Sequence, residues 1–256
     1  MTIVIAGAIG AILGSFATVV AYRLPKGQSF ITGRSRCPSC DHLISAAENI
    51  PVASYVLQRG RCRHCGANIP ARYPLVELAT GVLFALSAWR FGASIEAILF
   101  AALFWVLVVL TVIDLELRLL PNRIVYPAFI FGWAGLVLAA AASGEPSRLA
   151  AAALGALIFG GFFLLIALLV PAGLGGGDVK LAFVLGSFVG YLGAPGLVLV
   201  AMFLSFLFGA LVGLAVMLAT GGNRKMKVPF GPFLALGTVV SILAGQGILD
   251  AYLGRL

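Results

Sequence analysis

Long uncharged runs dominate the chain, and short polar breaks separate them. Apolar segments fall at 3–22, 75–91, 95–113, 123–142, 149–170, 179–193, 196–219 and 229–252. Each approaches the roughly 20 residues that a helix needs to cross the hydrocarbon core of a bilayer. The uncharged run Leu181–Asn223 is too long for one helix. Gly193-Ala194-Pro195-Gly196 divides it, because proline and glycine together interrupt regular structure. The pattern predicts an all-α polytopic membrane protein with about eight transmembrane helices. Residues 1–22 lack a basic leading region, and no small-residue cleavage site precedes the charges that follow, so they read as a retained span rather than a signal peptide. One sizeable polar segment, 23–74, separates the first two spans. The expected organisation is therefore a first transmembrane helix at 1–22, a polar loop at 23–74 and a seven-helix core at 75–256.

Composition agrees with the pattern. The chain is 61% hydrophobic and only 10% charged, with mean hydropathy +1.10. A soluble domain of 256 residues cannot bury that much apolar surface. The net charge of +8 reads as a topology signal. With the 23–74 loop in the cytoplasm, all but Arg90, Arg148 and Arg255 of the 17 lysines and arginines fall in loops on that side. The bias predicts both termini on the outer, periplasmic face. No stretch interleaves basic and aromatic residues, which argues against nucleic acid as a partner.

All four cysteines lie in the polar loop, as "CPSC" (Cys37, Cys40) and "CRHC" (Cys62, Cys65). Two such knuckles can wrap one tetrahedral ion, although the spacing between them slightly exceeds the usual window. Two disulfides are the alternative, but a reducing cytosol favours thiolates on Zn2+. Four thiolates close the shell, so the ion is structural and supplies folding free energy to a loop too short for a strong core. His42 and His64 then read as solvated neighbours. Arg34, Arg36, Arg61 and Arg63 crowd the knuckles, facing anionic headgroups or guiding an acidic feature of a substrate.

The expected topology sorts the nine carboxylates. Asp41 and Glu48 belong to the cysteine loop, and Glu96, Glu145 and Asp250 fall near the outer face. Glu77, Asp114, Glu116 and Asp178 remain at the cytoplasmic boundary. Asp114 follows the uncharged run Ala97–Ile113 and is expected to cap the third span. Asp178 follows "GLGGG" at the start of the sixth. Two aspartates at one depth on neighbouring helices are what an aspartic peptidase needs. One carboxylate is ionised and takes a proton from water, while the other is protonated and polarises the scissile carbonyl. The glycines would let a substrate backbone pass close to the acid. Each acid alone has a plainer use, Asp178 as a carboxylate at a helix N-terminus. Glu116 reads as a solvated interface residue and Lys180 as a lysine snorkelling to the surface. Glu77 is a candidate partner of Arg72 or member of a second site.

Several stretches together carry a resemblance. They are "GSFATVVAYRLP" (14–25), "CPSC", "NIPVASY" (49–55), "RGRCRHC" (59–65), "RYPLVELATG" (72–81), "DLELRLLPN" (114–122), "GGGDVKL" (175–181) and "PFGPFLALG" (229–237). In this order they closely resemble the type IV prepilin peptidases of pilus and type II secretion systems. The resemblance implies a GxGD-type aspartic peptidase of the bacterial inner membrane, with Asp114 and Asp178 as its dyad. It implies cleavage of the short basic leader of prepilins and pseudopilins after a glycine, on the cytoplasmic face. It further implies N-methylation of the new terminus from S-adenosyl-L-methionine, an activity associated with the four-cysteine loop. Where such proteins usually carry asparagine after "GSF-x", this chain has Thr18. Two other classes fit parts of the pattern. A proton- or cation-coupled transporter would use the two aspartates on a broken helix, but it would place them nearer the midplane. A non-catalytic membrane scaffold would use the zinc loop alone and leave "GGGD" without a role.

Overall fold

The computed structural model describes residues 1–32, 35–170, 174–193, 195–220 and 228–254. Gly173 of the glycine run, Ala194 of the expected break, and Arg34, Arg224, Lys225, Lys227 and Arg255 lie outside the described residues. The helices are α1 (Thr2–Arg23), α2 (Ala53–Leu57), α3 (Arg72–Phe91), α4 (Ile95–Leu117), α5 (Asn122–Ser143), α6 (Ser147–Leu169), α7 (Gly176–Tyr191), α8 (Pro195–Ala219) and α9 (Gly231–Leu253). Among the described residues extended pairing is confined to two isolated bridges, Arg36 with Leu43 and Arg61 with Asn68. Every predicted span is a helix, and all but α2 and α7 are long and apolar enough to cross a bilayer. Their outward faces carry large apolar side chains, such as Ile98, Phe131 and Leu168, each at least 70% exposed. Water would penalise such a surface, whereas acyl chains match it.

The chain divides into two compact units, Met1–Val112 and Ile113–Leu256. In the first, α1 lies along α3, and the sequence explains how closely. Gly10 and Gly14 recur one turn apart on α1, and a Cβ on either would stand 2.7 Å from Thr80 O or Glu77 Cα of α3. Small residues at that spacing let two membrane helices meet backbone to backbone. Trp105 of α4 donates its indole N–H to Leu13 O at 2.8 Å, and its ring stacks on Phe16. That bond satisfies a donor that lipid would leave unpaired.

In the second unit α7 packs against α5, α6, α8 and α9. Leu181, Ala182, Leu185 and Val189 are at most 1% exposed, as expected of a helix that is apolar on all sides. Its closest neighbour is α6, where Gly155 faces Gly186 and Gly190; a Cβ at 155 would stand 2.8 Å from Gly190 Cα. At 16 residues α7 is about 24 Å long, short of the roughly 30 Å hydrocarbon core. A helix enclosed by protein does not need to match that thickness.

One expected boundary is corrected. Asp114 does not cap the third span, because α4 runs on to Leu117 and Arg118 N–H donates to Asp114 O at 2.9 Å. The uncharged run ends at Ile113, but backbone hydrogen bonding continues for another turn. Arg118, at φ 53°, then turns the chain toward Pro121.

Candidate functional site

Three helix ends in the second unit bring the two aspartates together. Asp114 sits in the last turn of α4 and is 5% exposed. Its Oδ2 accepts the backbone N–H of Gly231, the first residue of α9, at 3.0 Å. That donor is one of the N–H groups that a helix start leaves without an intrahelical acceptor, so the carboxylate satisfies α9 and α9 satisfies the carboxylate. Asp178 is the third residue of α7 and is half-buried. Its carboxylate lies beside Gly175, at the helix cap, and within electrostatic reach of Asp114.

Glycine and leucine set the spacing of these pieces. A Cβ at 231 would stand 2.6 Å from Asp114 Oδ2, and one at 175 would stand 2.9 Å from Asp178 Oδ2. Each acid therefore fills the place of a side chain that its glycine lacks. Leu120, buried in the turn after α4, does the same at Gly177, where a Cβ would meet Leu120 Cβ at 2.8 Å. The other face of Leu120 lies against Gly231, so one side chain keys the starts of α7 and α9 to the end of α4. With these ends together, α7 must carry the chain to the opposite side for α8 to return it.

Lys180 donates to Asn122 Oδ1 at 3.0 Å and lies 5.2 Å from the Tyr126 ring centroid, tying α7 to α5. Glu116 is exposed, as expected.

The polar loop of the first unit builds a different site. Each C-x-x-C turn folds alike. Cys37 N–H donates to His42 O and Cys62 N–H to Ala67 O, both at 2.9 Å. Asp41 N–H donates to Cys37 O and Gly66 N–H to Cys62 O, again at 2.9 Å. Asp41 and Gly66, which follow the second cysteine of each pair, take positive φ of 55° and 72°. Aspartate tolerates that region better than most residues, and glycine is unstrained there. The four Sγ atoms lie within 4.8 Å of one another, with Cys37 and Cys65 at 3.8 Å. A tetrahedral ion with metal–sulfur bonds of about 2.3 Å sets its sulfurs about 3.8 Å apart, whereas a disulfide needs about 2.05 Å. All four cysteines are free, and the cluster can hold one metal ion. Backbone N–H groups of Ser39 and Cys40 are directed at Cys37 and favour its thiolate, the form a metal requires.

Glu77, 8% exposed on α3, accepts the N–H of Val52 at 2.7 Å. Val52 is held at φ 60°, a costly conformation for a β-branched residue, immediately before α2. The buried carboxylate thus pins the "NIPVASY" segment to the α3 helix. Thr18 donates its hydroxyl to Ser15 O at 2.7 Å, within its own helix.

Gly231 was missed as a site residue in the sequence. The available signal was "PFGP", a glycine beside a proline that opens a helix.

The architecture and its sites define a multi-pass helical membrane protein with a four-cysteine knuckle and paired carboxylates at helix ends. Residues 8–91 match the bacterial peptidase A24 N-terminal domain, and residues 101–214 match the type IV leader peptidase family. The chain belongs to the type IV leader peptidase family. It is 37% identical to a prepilin leader peptidase/N-methyltransferase of Bacillus subtilis, over 95% of both chains. Proteins of the same name from Pseudomonas putida and Burkholderia pseudomallei are 34% and 35% identical, over 96% of this chain and 92% and 86% of theirs. No solved structure gives a significant match.

Proposed function

We propose that this chain cleaves the short basic leader of type IV prepilins and pseudopilins after a glycine, with Asp114 and Asp178 as the catalytic pair. The observation that carries the proposal is the buried Asp114 carboxylate, fixed by Gly231 N–H, with Asp178 in electrostatic reach on the next helix start. Two carboxylates so close cannot both ionise cheaply, so they share a proton and titrate as a pair. The ionised member takes a proton from water as its oxygen attacks the scissile carbonyl. The protonated member donates to the carbonyl oxygen, and collapse of the tetrahedral adduct expels the amine with a proton returned from the pair.

The charge bias of the loops supports placing this chemistry at the cytoplasmic face of the bacterial inner membrane, with both termini periplasmic. A substrate with a basic leader and an apolar segment would then present its cut site at the boundary between water and lipid. The tetracysteine cluster fits Zn2+, held by Cys37, Cys40, Cys62 and Cys65 as a closed structural centre. The relatives' second name supports N-methylation of the new terminus, with S-adenosyl-L-methionine supplying the methyl group. No residue is assigned to hold that donor.

The test is a gel-shift assay of a co-expressed prepilin with wild type, Asp114→Ala and Asp178→Ala, with mass spectrometry of the mature terminus. Processing lost in both variants and a methylated terminus in wild type is the expected result. Processing retained in either variant removes that residue from the mechanism.

A further inference from the structure

The short helix α2 presents an apolar face that no described part of the chain covers. Ala53, Val56 and Leu57 fall three and four residues apart, on one side of the helix. All three are exposed, Val56 at 66% and Leu57 at 74%. Ile50, just before the helix, is exposed as well. Single apolar side chains are common on a protein surface, but a cluster on one face marks a contact. Five residues do not hold a helix by themselves, so this one depends on its ties. The buried Ser54 donates its hydroxyl to Ile50 O at 2.6 Å, Gln58 donates to Glu48 O at 3.2 Å, and Gly60 N–H donates to Tyr55 O at 2.9 Å.

The depth of α2 is set by α3. Glu77, whose Oε2 accepts Val52 N–H at 2.7 Å, is the sixth residue of α3, about 7.5 Å along the axis from its start. At 20 residues α3 is about 30 Å long, the thickness of the hydrocarbon core. The start of α2 is therefore moored beside the first two turns of a helix long enough to cross the bilayer. Its five residues rise only about 7.5 Å, so Val56 and Leu57 stay near the level where lipid meets water. Arg59, Arg61 and Arg63 follow within six residues of Leu57, and all three are exposed.

We propose that α2 lies on the bilayer surface, with Val56 and Leu57 entering the boundary between headgroups and acyl chains and the three arginines engaging the phosphates of anionic phospholipids. The proposal is independent of the peptidase chemistry. An apolar face costs free energy in water and little among acyl chains, while the basic run beside it gains from negative headgroups. Acids of the same loop are engaged elsewhere. Glu48 Oε2 accepts Ser45 N–H and hydroxyl at 2.9 Å and 2.7 Å, and Asp41 pairs with Arg36 at 3.0 Å. A protein partner could also cover an apolar face, but the tie to α3 holds this one at a depth where lipid already stands. The second knuckle begins two residues beyond Gly60, so docking of α2 would also fix the height of the knuckles over the membrane.

The test places the unaltered full chain in phosphatidylcholine nanodiscs, with and without phosphatidylglycerol, carrying a trace of lipid with a photoactivatable diazirine in its acyl chain. Mass spectrometry after irradiation locates the carbene adducts, and Ile98 of α4, 74% exposed, serves as the internal reference for lipid contact. The expected result is adducts on Val56 and Leu57 that rise at least about twofold with phosphatidylglycerol. Adducts on Ile98 with none between Ala53 and Leu57 would overturn the proposal, leaving the face in water or under protein. Equal yields with and without phosphatidylglycerol would overturn the part given to the arginines. Purified prepilin added before irradiation should leave the adducts in place, and their loss would assign the face to a protein partner instead.

Discussion

Asp114 and Gly231 meet across 117 residues of sequence through one hydrogen bond, 3.0 Å from the glycine N–H to the carboxylate Oδ2. The contact exists because position 231 has no side chain: a Cβ there would stand 2.6 Å from that oxygen and 3.3 Å from Leu120 Cδ2.

Gly231→Ala is therefore expected to displace the acid and depress prepilin processing by about tenfold to a hundredfold, a modest misplacement being enough to cost that much. Gly161→Ala, at a helical position with open space around it, should process like wild type. A gel-shift time course of the two variants, with membrane levels matched by immunoblot, checks the contrast.

Asp114→Asn and Asp178→Asn keep the shape of each side chain and remove the carboxylate. Removing a group that moves protons in the transition state typically costs about 10²–10⁴ in rate, and both variants should fall in or beyond that range while still inserting. On the proposed shared proton, the double variant should be little worse than either single one. Single-turnover rates on a purified prepilin would reveal any additive loss, which would argue for separate roles.

Glu77→Ala strands the Val52 N–H beside a strained residue. Leaving a buried donor unpaired costs about 1–3 kcal/mol, and the loss should appear as faster proteolysis of the 23–74 loop. Glu77→Gln retains an acceptor oxygen and should recover most of the protection. Limited trypsin digestion followed by mass spectrometry distinguishes the two.

Cys37→Ser opens the tetrathiolate shell. On the zinc proposal, elemental analysis should find the ion present in wild type and lost in this variant, and the loop should become as protease-sensitive as wild type stripped by a strong chelator. Terminal methylation is expected to fall in the same variant while leader cleavage persists, read by mass spectrometry of the mature prepilin.

The transmembrane plan was legible because lipid imposes a crude rule, uninterrupted apolarity, that hydropathy reads directly. The predicted 123–142 and 196–219 differ from α5 and α8 by a single residue at their ends. The same rule misplaced the end of α4, since charge marks where lipid stops and says nothing of where backbone hydrogen bonds stop. The glycine run drew attention to Asp178, but the space at Gly177 is taken by Leu120, a contact made through long-range packing that no local pattern carries. Gly231 contributes only a backbone N–H, and every non-proline residue has one, so its pairing with Asp114 left no mark on the sequence. Glu77 was visible as an acid out of place in an apolar helix. Its Oε2 accepts from the backbone N–H of Val52, where the sequence offered Arg72 or a second site.

The doubled knuckle also bears on how the chain is made. Cys37 and Cys65 lie 28 residues apart, and neither C-x-x-C turn can close a four-ligand shell alone. At synthesis rates of about 5–20 residues per second, the first pair of thiols waits a few seconds for the second to emerge. During that interval the half-built cage is exposed to oxidation, to competing ions and to chaperones, with α1 already available for insertion. On the zinc proposal, capture of the ion becomes a timed event of biogenesis.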